Sequence, residues 1–156
     1  MKLNTLFRNA KPIEIESLMS DSRLMLNNSL FFCLKGMKHD GHQHISQAVE
    51  NGAIAIVHSE DLSTYIPFVE YVKVEDSFAQ LNRCAALFYD NPCDKLKVFG
   101  ITGTNGKTTI AKVIKTIYST HLNCGYIGTI GLEYGNISEK PDYTTPEVIS
   151  LHEVLN

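Results

Sequence analysis

The residues best suited to chemistry lie in the decapeptide at 100–109, GITGTNGKTT. Its glycines let the backbone turn tightly, so that successive N–H groups can point into one concavity and hold phosphate oxygens. Lys107 can reach the β- and γ-phosphates of a nucleotide, and the Thr108 hydroxyl can ligate Mg²⁺. The segment therefore predicts a binding site for ATP and magnesium.

The elements around this loop are those that a phosphate-binding loop requires. Residues 97–102 (KVFGIT) predict a strand, and a helix is predicted from about residue 107 to 120. The helix amino terminus adds a partial positive charge. The strict Walker pattern needs glycine where Ile101 stands, and a glycine-rich turn with an exposed lysine is the plain alternative. The order strand, turn and amphipathic helix disfavours that alternative. The apolar positions of the helix are Ile110, Val113, Ile114, Ile117 and Tyr118.

The first part of the chain has the rhythm of an α/β fold. Residues 29–35 (SLFFCLK) and 53–57 (AIAIV) predict two buried strands. Between them, Ile45, Ala48 and Val49 fall at helical spacing, and Gly52 is a natural helix stop. Strand, helix and strand in this order indicate an α/β unit.

A domain boundary is predicted near the middle of the chain. Residues 68–74 predict another strand, after which Asp76-Ser77 can cap a helix. The polar and proline-containing segment 90–96 is the best linker candidate, so we place one domain at 1–95 and the start of a second at 96–156. The second part predicts a strand at 124–130 and a helix beginning at Thr144-Thr145-Pro146. The inward residues of the helix after Asp76-Ser77 are predicted to be Phe78, Leu81, Ala85 and Phe88.

Composition excludes several functional classes. The chain of 156 residues has a net charge of -3, which gives no reason to expect a nucleic-acid partner. No apolar run reaches the roughly 18 residues that a membrane span needs, and the start is a poor signal peptide. The four scattered cysteines suit reduced thiols in the cytoplasm.

The three-glycine loop resembles the ATP loop of the Mur ligases and of the related folylpolyglutamate synthetases. The upstream half separates the two families, because Asp21-Ser22-Arg23, Gly36 and Asp40-Gly41 resemble the amino-terminal domain of Mur ligases. The closest resemblance is to the members that add the third residue of the peptidoglycan stem peptide, whose substrate-contacting segment is similar to residues 143–146 (YTTP). The implied fold is a small amino-terminal α/β nucleotide-sugar domain, followed by the first part of a P-loop α/β ATPase domain.

The resemblance also implies a set of site residues. Lys107 would be catalytic, acting on the transferred phosphoryl group, and Thr108 would ligate the metal. ATP would be bound by Gly103, Thr104, Asn105, Gly106, Lys107, Thr108 and Thr109. The substrate would be contacted by Ser20, Ser22, Met37, Lys38, His39, Tyr143, Thr144 and Thr145, with the two serines at the uridine end.

The implied activity is amide ligation by a cytoplasmic enzyme. ATP with Mg²⁺ phosphorylates the D-glutamyl carboxylate of UDP-N-acetylmuramoyl-L-alanyl-D-glutamate, and lysine or diaminopimelate attacks the acyl phosphate. The partners are therefore this UDP-N-acetylmuramoyl-dipeptide and a diamino acid. The enzyme is expected to be a monomer, with neither a nucleic acid nor a membrane as a partner. The family's carbamylated lysine and carboxy-terminal domain lie outside residues 1–156, so we expect a truncated chain that does not catalyse ligation alone.

Two alternatives stay open. A folylpolyglutamate-type synthetase shares the loop, although its loop lies near the chain start and about 96 residues precede it here. A non-catalytic nucleotide-binding module would need a closed core, whereas nothing is predicted to cover Val148, Leu151 and Leu155 of the last helix.

The remaining polar residues have structural interpretations. His39, His42 and His44 do not have the spacing of a zinc site, and a solvated loop leading into a helix is the simpler interpretation. Asp40 is predicted to be a helix cap or turn residue. Ser22 either caps a turn or contacts substrate.

Overall fold

A four-stranded parallel sheet organises the first half of the chain. The structure, a computed structural model, describes residues 1–36, 39–139 and 147–156. The strands lie in sequence order, each parallel to the next. They are β1 (Ser17–Met19), β2 (Ser29–Phe32), β3 (Ala53–His58) and β4 (Glu70–Lys73). The three predicted strands of this region are confirmed, whereas β1 escaped prediction because it is only three residues long and begins with the polar Ser17.

Both faces of this sheet are covered, as an all-parallel sheet requires. Every residue of β2 is buried. Leu30 and Phe32 point into one apolar cluster, and Phe31 and Cys33 point into the other. Because side chains alternate along a strand, one continuous apolar run supplies two cores.

The helices of the first half are held by the sheet and by specific end residues. Helix α1 (Leu3–Leu6) and helix α3 (Ser77–Phe88) cover one face, and helix α2 (Ile45–Glu50) follows a 3₁₀ turn (Gly41–His44) and covers the other. Asp76 caps α3 by accepting a bond from the Ala79 amide at 2.9 Å, as predicted. The prediction that Phe78 faces inward is wrong, since its side chain is 58% exposed and Cys84 takes the inward position.

Gly52 ends α2 in the way its residue type predicts. Its φ of +103° lies in the region that glycine alone adopts easily, and a Cβ atom there would stand 2.7 Å from the Leu26 carbonyl oxygen. The carbonyl of the preceding residue is also hydrogen-bonded, because Leu26 N–H donates to the Asn51 carbonyl at 3.0 Å. The tight turn therefore feeds the chain directly into β3.

The chain leaves α3 through an elbow formed by Asp90 and Asn91. Both residues have left-handed backbones, with φ of 58° and 47°. The Asn91 amide donates to the Ala86 carbonyl at 2.7 Å, and Lys95 pairs with Asp90 at 2.6 Å. Pro92 is buried and begins the short helix α4 (Pro92–Lys95). The predicted linker at 90–96 is therefore structured over most of its length.

The second half contains a separate antiparallel sheet. Its strands are β5 (Tyr126–Gly128), β6 (Gly131–Tyr134) and β7 (Ile137–Glu139), in that order. The strand predicted at 124–130 is confirmed in β5. The strand predicted at 97–102 is wrong, because no described strand lies beside that segment to accept its ladder bonds. Val98 and Phe99 are consequently 65% and 50% exposed.

Helix α5 (Lys107–Tyr118) forms where it was predicted and rests on the antiparallel sheet through charged groups. Lys115 pairs with Glu133 of β6 at 2.6 Å, and Lys112 pairs with the same carboxylate. The Lys112 ammonium also lies 4.5 Å from the Tyr126 ring centre. The predicted apolar face is only partly used, since Ile110, Val113 and Ile117 are exposed.

Helix α6 (Val148–Leu155) returns to the first half of the chain and packs on α3. Val148 and Ile149 pack against the core of the parallel sheet. The face that we expected to be uncovered is thus partly covered. Glu147 is the residue before the helix, and the predicted threonine cap lies outside the described residues. No helix in the described part of the chain is both long and apolar enough to cross a bilayer.

The pairing of Glu133 predicts a pH dependence. Hydrogen bonds from Lys112 and then Lys115 lower the pKa of Glu133 below its ordinary 4.5. Because the pKa is lower in the folded state, the ionised carboxylate stabilises the fold above the unfolded-state pKa. This contribution is lost as the pH falls through the folded-state pKa. We expect Glu133→Gln to lower the free energy of unfolding at pH 7 and to match the unsubstituted chain at low pH. Urea unfolding at several pH values measures this, with Glu139→Gln of β7 as the charge-matched control; equal losses in both variants would contradict it.

None of the four cysteines, all of which are described, is paired in a disulfide, and their reactivities are predicted to differ. Burial raises the pKa of Cys33 to about 12 and that of Cys84 to about 11. Cys93 is exposed. Because the thiolate is the reactive form, a maleimide should modify Cys93 first and reach Cys33 and Cys84 only in denaturant. Mass spectrometry of timed samples measures the order, and early modification of Cys33 in the folded chain would contradict it.

Candidate functional site

The phosphate-binding loop predicted at 100–109 opens helix α5 with a left-handed glycine. Gly106 precedes the helix with φ of +79°, and its carbonyl accepts the first helical bond from Ile110 at 2.9 Å. Gly103 also has a positive φ, of +149°. No described side chain caps the helix. The amides of its first turn have no acceptor within the helix and are therefore available to an anion.

Lys107 folds back over this loop. Its ammonium donates to the Gly103 carbonyl at 2.5 Å and lies 3.4 Å from the Thr104 carbonyl. The positive charge is thus held inside the bend, on the same side as the helix amino terminus. An ammonium held by exposed carbonyls can exchange them for phosphate oxygens, because charge-assisted hydrogen bonds to an anion are stronger.

The other predicted nucleotide contacts surround this bend. Thr104, Asn105 and Thr109 are exposed, and Thr108 is half-buried in the first turn of α5. The hydroxyl and amide groups therefore face an open surface. A neighbouring cleft of about 580 Å³ lies between α5 and the antiparallel sheet, and no residue of 103–109 lines it. Its apolar walls, which include Phe99, Ile114 and Leu132, do not suit phosphate.

The predicted substrate residues with described positions lie at one edge of the parallel sheet. Ser20 follows β1, and His39 lies in the segment that follows β2. Parallel strands end at the same edge, where open α/β sheets bind ligands. The Ser20 hydroxyl donates to Glu147 at 3.3 Å, so the residue that precedes α6 reaches this edge. Met37, Lys38, Tyr143, Thr144 and Thr145 lie outside the described residues.

Ser22 is part of a buried hydrogen-bonded network. Its side chain is 6% exposed, and its hydroxyl donates to Gln47 at 2.7 Å. The Asn51 side chain donates to the Ser22 carbonyl at 2.8 Å. Hydrogen bonding from Arg23 lowers the pKa of Asp21 in the same turn. Ser22 therefore has the turn-stabilising role in the structure, with only its remaining lone pair able to meet a substrate.

Asp40 and His42 form a second network at the end of β2. Asp40 accepts from the His42 amide at 3.0 Å and so caps the 3₁₀ turn, as predicted. The same carboxylate oxygen lies 2.6 Å from His42 Nδ1, and this interaction lowers the pKa of Asp40. The interpretation of His42 as solvated is wrong, because its side chain is 8% exposed. The His42 ring is hydrogen-bonded within the protein, where the sequence predicts contact with water.

Sequence reasoning missed Gln47, Asn51 and Glu147. Gln47 and Asn51 are spaced by four residues, so they share one face of α2 and its end. That spacing of two amides on an otherwise apolar helix is a signal for a buried polar partner. Glu147 carried no such signal, because its contact with Ser20 spans 127 residues of chain.

Comparison with known proteins agrees with this arrangement. Residues 14–88 match the family described as "Mur ligase family, catalytic domain", and residues 101–156 match "Mur ligase middle domain". UDP-N-acetylmuramoyl-L-alanyl-D-glutamate--2,6-diaminopimelate ligase from Alkaliphilus metalliredigens is 41% identical over 92% of this chain and 29% of that protein. The ligase of the same name from Geobacter sulfurreducens is 38% identical over 99% of this chain and 32% of that protein. UDP-N-acetylmuramyl-tripeptide synthetase from Borreliella afzelii is 35% identical over 92% of this chain and 30% of that protein.

Solved structures show the same fold. A crystal structure of MurF from Acinetobacter baumannii aligns with a TM-score of 0.61 and 23% identity, covering 98% of this chain and 31% of that chain. The chain spans about 30% of the length of the curated relatives named above. Two adjacent family regions and relatives aligned over nearly the whole chain lead to one conclusion: the chain belongs to the Mur ligase family.

Proposed function

We propose that this chain forms the nucleotide-sugar-binding and phosphate-binding part of an ATP-dependent amide ligase. The observation that carries the proposal is the head of α5, where a left-handed glycine, uncapped amides and the Lys107 ammonium face one open bend. The reaction is the addition of a diamino acid to UDP-N-acetylmuramoyl-L-alanyl-D-glutamate. Relatives named for 2,6-diaminopimelate support that diamino acid over lysine.

The residues at 103–109 fit a bound nucleotide. Gly106 leaves the approach to the first-turn amides free of side-chain atoms, since a Cβ there would meet only Ile110, at 4.0 Å. Lys107 would hold the terminal phosphates of ATP, and Thr108, in the same turn, would hold Mg²⁺. Thr104, Asn105 and Thr109 complete the polar surround. When bound, ATP supplies a transferable phosphoryl group.

The contribution of the chain's own residues is placement and charge. The amides after Gly106 and the Lys107 ammonium put positive charge where negative charge develops during phosphoryl transfer. The backbone fixes the positions of the amides, whereas the Lys107 ammonium would exchange its carbonyl partners for phosphate oxygens. Lys107 acts as the catalytic cation, and no described residue near it is placed as a general base. Positioning, with little acid–base chemistry, is the expected role.

The substrate site is proposed at the carboxyl edge of the parallel sheet. Ser20 and His39 follow β1 and β2 at this edge, and Ser22, two residues after Ser20, is buried. The contact between Ser20 and Glu147 supports the proposal that Thr144 and Thr145 serve the same substrate as Ser20. Met37, Lys38 and Tyr143 remain proposed contacts of that substrate. With the proposed domain division at 1–95 and 96–156, the nucleotide site belongs to the second domain, and the substrate site draws residues from both sides of the elbow.

The proposal also covers the cellular compartment, the partners and the oligomeric state of the enzyme. Four free thiols suit a reducing compartment, which supports a cytoplasmic enzyme. The net charge of -3 does not favour a polyanionic partner, and the soluble substrates require no membrane. We propose a monomer.

The nucleotide half of the proposal predicts a charge-specific binding defect. We expect isothermal titration of the chain with Mg-ATP to show weak binding that Lys107→Ala reduces by about tenfold or more, because one charge-assisted bond contributes roughly 1.5–3 kcal/mol. Lys73→Ala is the matched control, since it removes the same charge from β4 and leaves the loop intact. Equal binding by the two variants would remove Lys107 from the site.

The substrate half predicts a different pattern. UDP-N-acetylmuramoyl-L-alanyl-D-glutamate should bind the chain, and Ser20→Ala should weaken that binding by about fivefold, the equivalent of one neutral hydrogen bond of about 1 kcal/mol. Ser22→Ala should instead lower the unfolding temperature, because it leaves Gln47 without its buried donor. Calorimetric titration and thermal melts measure the two effects; a Ser20 variant with unchanged affinity would exclude its contact.

A further inference from the structure

The His42 side chain joins two segments at the carboxyl edge of the parallel sheet. Its Nδ1 lies 2.6 Å from an Asp40 carboxylate oxygen, and its Nε2 lies 3.2 Å from the amide nitrogen of Ser59, the residue after β3. The ring is 8% exposed. Asp40 belongs to the segment after β2, so the imidazole bridges the ends of two neighbouring strands.

The two partners fix the state of the ring. The Ser59 amide can only donate, so Nε2 must be the acceptor and carries no proton. Nδ1 then carries the proton and donates it to the Asp40 carboxylate. Both ring nitrogens are therefore used by neutral histidine in a single tautomer.

The segment that His42 anchors is otherwise closed at its base. The Gly36 amide donates to the His39 carbonyl at 2.9 Å, and the Gly41 amide donates to the Leu34 carbonyl at 2.9 Å. Gly41 is packed so tightly that a Cβ atom would stand 2.8 Å from the Leu34 amide nitrogen. Gly36 and His39 are thus bonded to each other and Gly41 is bonded to the end of β2, while the bond from Ser59 to His42 links this region to the end of β3.

A metal ion is the competing explanation for this cluster. Asp40, His42 and Glu60 bring three potential ligand atoms within 4.8 Å of one another. The imidazole has no free nitrogen in the tautomer above, and the Glu60 carboxylate is paired with Lys35. The hydrogen bonds account for every one of these groups without an ion.

We propose that His42 is a positioning residue for the sugar-nucleotide substrate. It holds the loop residues His39, Asp40 and Gly41 in a fixed orientation against the end of β3. This rests on the proposed function, because it assumes that the loop contacts that substrate. The imidazole itself touches the loop and the strand end, and it acts through them on the ligand.

Three variants of His42 test the proposal by binding. We expect His42→Phe, which fills the space without polar atoms, to weaken UDP-N-acetylmuramoyl-L-alanyl-D-glutamate binding by about tenfold or more, corresponding to two lost bonds. His42→Asn can reach only Asp40 and His42→Gln only Ser59, so each should weaken binding by an intermediate factor. Asp40→Asn keeps an acceptor oxygen for His42 and should bind within about threefold of the unsubstituted chain.

A second readout separates positioning from general loss of structure. Mg-ATP binding, which uses residues 103–109, should be unchanged in all four variants. The amide resonances of Gly36 and Gly41 should shift and exchange faster with solvent in His42→Phe. A folded His42 variant that binds the sugar nucleotide as tightly as the unsubstituted chain overturns the positioning role and leaves the proposed function intact.

Two other outcomes are also decisive. If the unsubstituted chain does not bind the sugar nucleotide, the substrate half of the proposed function fails and the inference fails with it. If added Zn²⁺ raises the unfolding temperature of the unsubstituted chain but not of His42→Phe, the cluster is a metal site and the positioning role of His42 is overturned. Absence of a zinc effect, together with the graded binding losses of the His42 variants, supports the positioning role.

Discussion

The amide groups at the start of α5 impose the constraint on which the functional half of the structure depends. A helix cannot satisfy its first N–H groups internally, and this one begins after Gly106 without a described side-chain cap. The left-handed turn aims those donors outward, and the Lys107 side chain folds over the same bend. Hydrogen-bond donors and a cation are thereby concentrated at one bend, where the described acceptors of the Lys107 ammonium are two backbone carbonyls. An anion is the natural complement of that arrangement, and a nucleotide is the anion that the family relationship indicates.

The parallel sheet makes the same kind of contribution at its carboxyl edge. Strands that run in one direction place the segment after each strand at the same edge, so the Asp40–His42 network and Ser59 meet although they are far apart in sequence, and Ser20 follows β1 at that edge. Helix α6 adds Glu147 from the other half of the chain. The Ser20 hydroxyl at this edge keeps lone pairs that a ligand could meet, whereas both ring nitrogens of His42 are used within the protein.

Much of this was predictable from the sequence, and the failures have physical reasons. The strands at 29–35 and 53–57, the Asp76 cap and α5 follow from local apolar periodicity and end residues, which the tertiary structure preserved. The strand expected at 97–102 did not form because a strand needs neighbours, and its own residues cannot supply them. The burial of His42 was missed because its partner Ser59 is 17 residues distant and donates from the backbone, which leaves no trace in residue type. The proposal of phosphate-binding residues needed only the loop, whereas the proposal of a substrate edge needed the resemblance.

The elbow at Asp90 and Asn91 has a consequence for how the two halves can vary. Two successive left-handed residues, bonded to Ala86 and followed by a buried proline, set the direction in which the chain departs from α3. The chain is tied to the first half a second time by α6, which packs on α3. A β-branched residue at Asn91 would disfavour the left-handed backbone there, so the packing between α3 and α6 would have to absorb any change in the direction of departure.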